Sequence, residues 1–238
     1  MKRQEKFSII YEDINIVAIN KTSGISIGAD RWDETQERLD KILNKLYETK
    51  LFTVHRIDRD TSGIVVFAKN EETHRQLSKN FENHSVKKEY IAIINGYPVW
   101  KETQCNLSLI PDGDKQHRTI VDKYRGKKCL THFSLLNNAG NYSIVSAFPE
   151  TGRTHQIRVH LASLGHPIVC DPLYGNIKPV YLSSFKRNWR GDPLEERPLL
   201  ERLGLHAFRL TLPEIGILEA QIPRDMTSLI RQIEKAGN

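Results

Sequence analysis

The sequence predicts an α+β fold, a central, mainly antiparallel sheet with flanking helices. Three observations lead there. Short β-branched and aromatic runs outnumber helical patterns. They do not alternate regularly with helices, as a doubly wound parallel sheet requires. The first and the last strands each come as a close pair, in the manner of hairpins.

In chain order, Phe7–Tyr11 and Asn15–Ile19 read as two strands joined at Glu12-Asp13. A helix is expected over 34–48, where Leu39, Ile42, Leu43 and Leu46 share a face. Ile64–Ala68 reads as a buried strand, and Glu71–Glu82 as a polar helix with Leu77 and Phe81 inward. Strands are expected at Glu89–Ile94, Arg118–Lys123, Leu130–Leu136 and Tyr142–Phe148. His155–Leu164 reads as a helix with Thr154 as N-cap, Gly165 at C′ and Pro167 preventing continuation. Leu205–Leu212 and Ile217–Ile222 read as a closing strand pair, and Asp225–Lys235 as a last helix. Residues 176–202, rich in Lys, Arg, Pro and Trp, read as a long loop or insertion; Lys186, Arg187, Trp189 and Arg190 make it a candidate substrate-shaping element.

The 238 residues, 39% hydrophobic and 27% charged, suffice for a globular core in one large domain or two small ones. Lys and Arg number 35 against 29 Asp and Glu, a net charge of +6 that suits a polyanionic partner. Cys105, Cys129 and Cys170 are far apart and form no C-x-x-C pair, which speaks against a zinc ribbon and for a reducing compartment. The opening MKRQEKFSII has no apolar stretch fit for a secretory signal, and no run is long enough to span a bilayer. The expected setting is cytoplasmic, away from membranes.

Two segments concentrate chemistry. The first, His55-Arg56-Ile57-Asp58-Arg59-Asp60-Thr61-Ser62-Gly63, sets carboxylates among guanidiniums just before a buried strand. A carboxylate held beside arginines stays ionised and can act as nucleophile or base. The same residues also read as a structural turn, with Asp58 paired to Arg56 or Arg59. The second, Thr151-Gly152-Arg153-Thr154-His155-Gln156-Ile157-Arg158-Val159-His160, opens a helix, where N–H groups and the helix dipole favour anions. Arg153 and Arg158 can bind a phosphate or steady a carboxylate there; Arg158 alone also reads as a solvated helix residue. His155 and His160 are five apart and lack the H-E-x-x-H pattern, so no metal is expected. Tyr90, after Lys87 and Lys88, suits base stacking beside phosphates, or a half-buried place in a strand. There is no phosphate-cradling glycine motif and no G-x-S-x-G elbow, so no cofactor is expected.

Together these segments resemble the RluA family of RNA pseudouridine synthases. His55-Arg56-Ile57-Asp58 with Thr61-Ser62-Gly63 is similar to the signature H-R-L-D-x-x-T-S-G. Gly152–Ala162 is similar to the family's second signature. Gly165-His166-Pro167-Ile168, Asp171-Pro172-Leu173-Tyr174-Gly175 and Leu205-His206-Ala207 follow in family order. The resemblance runs from about Phe7 to about Pro223. It implies the pseudouridine synthase catalytic fold and isomerase activity on uridines of ribosomal or transfer RNA. Asp58 is then the essential aspartate, Tyr90 the ring that stacks on the target base, and Arg158 the arginine that pairs with the aspartate. Arg56, Arg153, His155 and Leu205 are expected to bind substrate, Leu205 by packing the pocket.

The family's N-K-P-x-G is here Asn20-Lys21-Thr22-Ser23-Gly24, and Cys170 stands where a glycine is usual. Many relatives carry an S4-like RNA-binding domain ahead of the catalytic part. Here the first strand begins near Phe7, so the expectation is one catalytic domain over 1–238, acting as a monomer. Two other readings use the same residues: hydrolysis of a glycosidic bond by Asp58 and Asp60, and a non-catalytic RNA-binding descendant of a synthase.

Overall fold

The computed structural model describes residues 6–29, 36–186 and 189–237. The expected helix start at Glu34 and the loop residue Arg187 lie outside the described residues. The elements are β1 (Phe7–Glu12), β2 (Ile16–Lys21), α1 (Leu39–Leu46), β3 (Phe52–Thr53), β4 (Ser62–Ala68), α2 (Glu71–Glu82), β5 (Lys87–Asn95), β6 (Glu102–Cys105), β7 (Leu109–Ile110), β8 (Ile120–Val121), β9 (Thr131–Ala139), β10 (Tyr142–Pro149), α3 (Gln156–Ser163), β11 (Leu205–Leu212), β12 (Gly216–Glu219) and α4 (Arg224–Gly237). The class is α+β with mainly antiparallel pairing. No helix among the described residues is long and apolar enough to cross a membrane. The chain forms two compact units, one of Met1–Lys88 with His206–Gln221, the other of Glu89–Leu205 with Ile222–Asn238.

In the first unit β1 and β2 form the expected hairpin, Phe7 opposite Lys21. Asp13 shapes its turn: Oδ1 accepts the N–H groups of Asn15 and Ile16, each at 2.7 Å. β2 pairs antiparallel with β4, and β3 also pairs with β4. All seven residues of β4 are buried, which explains an unbroken β-branched run without polar alternation. The short parallel pairing of β4 with β11 sets His206 opposite Ser62 and Ala207 opposite Gly63. There the backbones approach closely. A Cβ on Gly63, whose φ is +120°, would sit 2.2 Å from the Ala207 carbonyl oxygen.

α2 begins where the sequence placed it. Asn70 Oδ1 accepts the Thr73 N–H at 2.9 Å, Glu71 and Glu72 complement the helix dipole, and Leu77 is buried. α1 is shorter than expected. Arg38 is extended, and the N–H groups of Leu39 and Asp40 bond the Ser26 and Ile27 carbonyls, so the helix starts at Leu39. At its far end Glu48 turns left-handed, with φ 51°.

The second unit holds the antiparallel order β5-β10-β9-β6. α3 and α4 pack on β9 and β10, α4 through buried Met226, Leu229 and Ile233. Six consecutive residues of α3, Gln156–Leu161, are buried. Such a helix has no solvent face, so its polar residues must find partners inside. Thr154 does not cap it. His155 occupies the N-cap at φ 54°, and Gln156 Oε1 instead accepts the Arg153 N–H at 3.0 Å. The strand expected over Arg118–Lys123 shrinks to β8, because the Asp114 and Asp122 carboxylates take backbone N–H groups on either side of it.

Gly63→Ala meets backbone rather than a yielding side chain. The expected cost is about 3 kcal/mol or more, from overpacking and a disfavoured φ. Urea denaturation checks it, and a loss within about 1 kcal/mol would contradict the close approach. His55 supplies a pH prediction. Its ring stacks on Phe81, with centroids 4.6 Å apart, and its Nε2 accepts the Val66 N–H at 3.1 Å. Burial, then the charge of Lys88, pushes its pKa from 6.5 down to about 3. The unfolded chain therefore binds more protons between these values, and stability falls as pH drops from 6.5 toward 3. Between pH 7 and 4, His55→Phe is expected to lose less stability than wild type; parallel losses would contradict this.

Candidate active site

Asp58 lies in the loop that enters β4, and this loop is pinned from below. Lys21, at the end of β2, is completely buried. Its Nζ donates to three backbone carbonyls, of Thr22 at 2.9 Å, Ile25 at 3.0 Å and Arg59 at 2.9 Å. Ser23 Oγ donates to the Asp60 carbonyl at 2.6 Å, and the Gly24 N–H to that of Arg59 at 2.9 Å. The Asn20–Gly24 motif is thus the clamp on the two residues that follow Asp58, and threonine at position 22 leaves the clamp intact. Ile57 is buried on one side of Asp58, and on the other the Asp58 carbonyl accepts the Thr61 N–H at 3.2 Å. With both neighbours fixed, the half-buried Asp58 has little backbone freedom. Arg56 and Arg59 are exposed. Beneath the strand start, buried His206 bonds Ser62 Oγ through Nδ1 at 2.9 Å and the Ala220 carbonyl through Nε2 at 3.1 Å. The Ala220 carbonyl can only accept, so Nε2 carries a proton.

In the second unit Arg158 is 2% exposed, which removes the reading of a solvated helix arginine. Asp171, wholly buried, meets it in a bidentate pair: Nε to Oδ2 at 2.9 Å and Nη2 to Oδ1 at 2.7 Å. Asp171 Oδ1 also accepts the N–H groups of Leu173 and Tyr174. Burial alone would push the Asp171 carboxyl up; the Arg158 guanidinium outweighs it and holds the carboxyl below its usual value. Tyr174 completes the group. Its ring lies 5.2 Å from the guanidinium, and its hydroxyl bonds His155 Nδ1 and the Thr119 N–H, each at 2.9 Å. Cys170, where the family has glycine, has φ 55°, which explains that preference. Its thiol reaches the carbonyls of Lys178 and Leu200, at 3.4 and 3.5 Å.

Of the residues singled out in the sequence, Asp58 and Arg56 belong to the first unit, and Tyr90, Arg153, His155, Arg158 and Leu205 to the second. Within the second unit Tyr90 and Leu205 meet on one apolar cluster with Ala92, Ala147 and Ile157. His155 and Arg158 converge on Tyr174, while Arg153 is exposed. Lys21, Asp171, Tyr174 and His206 were given no role by sequence reasoning. Their motifs were visible, but what each one holds shows only when distant segments meet. His155 and His160 go to different partners, His160 bonding Thr131 Oγ1 at 2.9 Å.

A family model described as RNA pseudouridylate synthase matches residues 15–163. The chain is 39% identical over 181 residues to ribosomal large subunit pseudouridine synthase D of Borreliella burgdorferi, covering 71% of this chain and 55% of that protein. It is 32% identical to the protein of the same name from Zymomonas mobilis, over 94% of this chain and 72% of the relative. Among solved structures, human RNA pseudouridylate synthase domain containing 1 superposes with a TM-score of 0.70 at 26% identity, over 94% of this chain and 86% of that one. Matching 149 of 238 residues to one family model and keeping the same fold over nearly its whole length, the chain belongs to the RNA pseudouridylate synthase family.

Proposed function

We propose that this chain isomerises uridines of structured RNA to pseudouridine, with Asp58 as the catalytic carboxylate. The observation that carries the reading is the clamped loop: one half-buried aspartate, in the family's first signature, on a backbone held by Lys21 and Ser23. A rigid support of this kind suits a side chain that must meet a reacting carbon to within a fraction of an ångström. Tyr90 is the proposed stacking ring, on an apolar bed shared with Leu205. Arg158 is the proposed guanidinium of the site, and Arg56, Arg153 and His155 are proposed RNA contacts. The relatives' names favour large-subunit ribosomal RNA over transfer RNA, and with it a cytoplasmic setting. The chain is proposed to act as one catalytic domain and as a monomer.

A uridine within a stem must leave the stack before a side chain can reach its sugar. The bond from C1′ to N1 then breaks, the uracil turns in place, and C1′ bonds to C5. The C5 proton departs and N1 gains one. Atoms and electrons balance within the substrate, so the reaction calls for positioning and proton movement rather than an oxidant or a co-substrate.

Asp58→Asn keeps the shape and removes the charge. Release of tritium from RNA labelled at uridine C5 is expected to fall at least about 1000-fold, with RNA binding retained; turnover near the wild-type rate would remove Asp58 from the reaction. Asp171 enters the reading as the positioning residue for Arg158. Asp171→Asn takes the bidentate carboxylate away from the buried Arg158 guanidinium, at an expected cost of about 3–5 kcal/mol. Urea denaturation checks this, and a loss below about 1 kcal/mol would show that the pair does not hold Arg158 in place.

A further inference from the structure

One short stretch of the chain is rich in cations. Residues 109–128 hold Lys115, Arg118, Lys123, Arg125, Lys127 and Lys128 against Asp112, Asp114 and Asp122, a net +3, with Asp114 paired to Arg118. This stretch runs through the β7–β8 hairpin and the turn after it. Its base is firmly seated within the second unit. Leu109 and Cys129 are buried with Val159 of α3, and the N–H and carbonyl of Leu109 both bond Lys127. The Thr119 N–H is held by the Tyr174 hydroxyl, and Arg118 Nη1 by the Leu173 carbonyl at 3.0 Å.

Beyond β8 the chain turns tightly around Asp122. Its Oδ1 accepts the N–H groups of Tyr124 and Arg125 at 2.9 and 2.8 Å, its carbonyl accepts the Gly126 N–H, and its Oδ2 pairs with Arg125 Nε. This turn presents Tyr124 at 93% exposure, between Lys123 and Arg125 and just ahead of the exposed Lys127 and Lys128. A large ring left in water on a fixed backbone, among cations, has the makings of a stacking platform for nucleic acid. The ring takes any base face, and the ammonium groups take the flanking phosphates.

We propose that Tyr124, with Lys123, Lys127 and Lys128, is a binding site for an unpaired RNA nucleotide outside the catalytic centre. It gives the enzyme a hold on a single-stranded stretch of its substrate. The proposal rests on the RNA-modifying function argued above and extends it to a preference for unpaired flanking nucleotides. A base inside a stem has both faces covered by its stacked neighbours, so duplex RNA should gain chiefly from the lysines.

The test uses a labelled 12-nucleotide polyuridine strand and a blunt RNA duplex, with binding followed by fluorescence anisotropy across a salt series. Tyr124→Ala is expected to weaken the single strand about tenfold, leaving duplex affinity and the thermal midpoint unchanged, while Tyr124→Trp keeps wild-type affinity. Lys127→Gln with Lys128→Gln is expected to flatten the single-strand salt slope by about 1.4. Single-strand affinity within twofold of wild type in Tyr124→Ala, or equal losses on strand and duplex, would overturn the platform. An unchanged salt slope in the lysine variant would remove the phosphates from it. Binding is scored without turnover, so the platform stands or falls independently of whether Asp58 makes pseudouridine.

Discussion

A buried ammonium group holds the candidate catalytic loop in place. Lys21 gives up water for three backbone carbonyls, two from its own turn and one from Arg59. Burying a cation costs several kcal/mol unless hydrogen bonds replace its hydration. The arrangement survives only while those carbonyls stay where they are. The geometry of the Asp58 loop and the satisfaction of Lys21 are therefore one condition. A loop that drifted would strand a charge in the core, so the penalty itself keeps Asp58 on station.

The second unit applies the same logic to a guanidinium. α3 has no solvent face, and Arg158 sits within it, matched by Asp171 in a fork that also gathers the Leu173 and Tyr174 N–H groups. Such pairs rarely add much stability over an apolar pair of the same shape, but they enforce a particular geometry. The left-handed backbone at Cys170, just before Asp171, belongs to that geometry. A side chain at this positive φ is a local strain, and the Cys170 thiol meets the carbonyls of Lys178 and Leu200 there.

Much of this was legible in the sequence, for reasons that differ by element. α2 was found at its true bounds because Leu77 and Phe81 mark one inward face on an otherwise polar segment, and the structure adds the Asn70 cap. β4 was found because a fully buried strand has a continuous β-branched run. The bounds of α1 were missed because distant carbonyls at Ser26 and Ile27 decide where it begins. β3, β6 and β7 carry little pattern, and β3 and β7 are only two residues long. Asp58, Tyr90 and Arg158 could be named from motifs. Their supports could not: the clamp of Lys21, the counter-charge of Asp171 and the bond from His206 to Ser62 all join segments from 13 to 144 residues apart. Local sequence shows which residue types are present, and only the closed fold shows which of them touch.

The central claim is that this protein rearranges a glycosidic bond rather than hydrolysing it or merely binding RNA. Its most direct test is product analysis after purified protein meets an unmodified large-subunit ribosomal RNA transcript. The RNA is digested to nucleosides and resolved by mass-calibrated chromatography. The account predicts pseudouridine appearing as uridine disappears in equal amount, with no free uracil. Free uracil with abasic sites, or a nucleoside profile unchanged from the starting transcript, would contradict it.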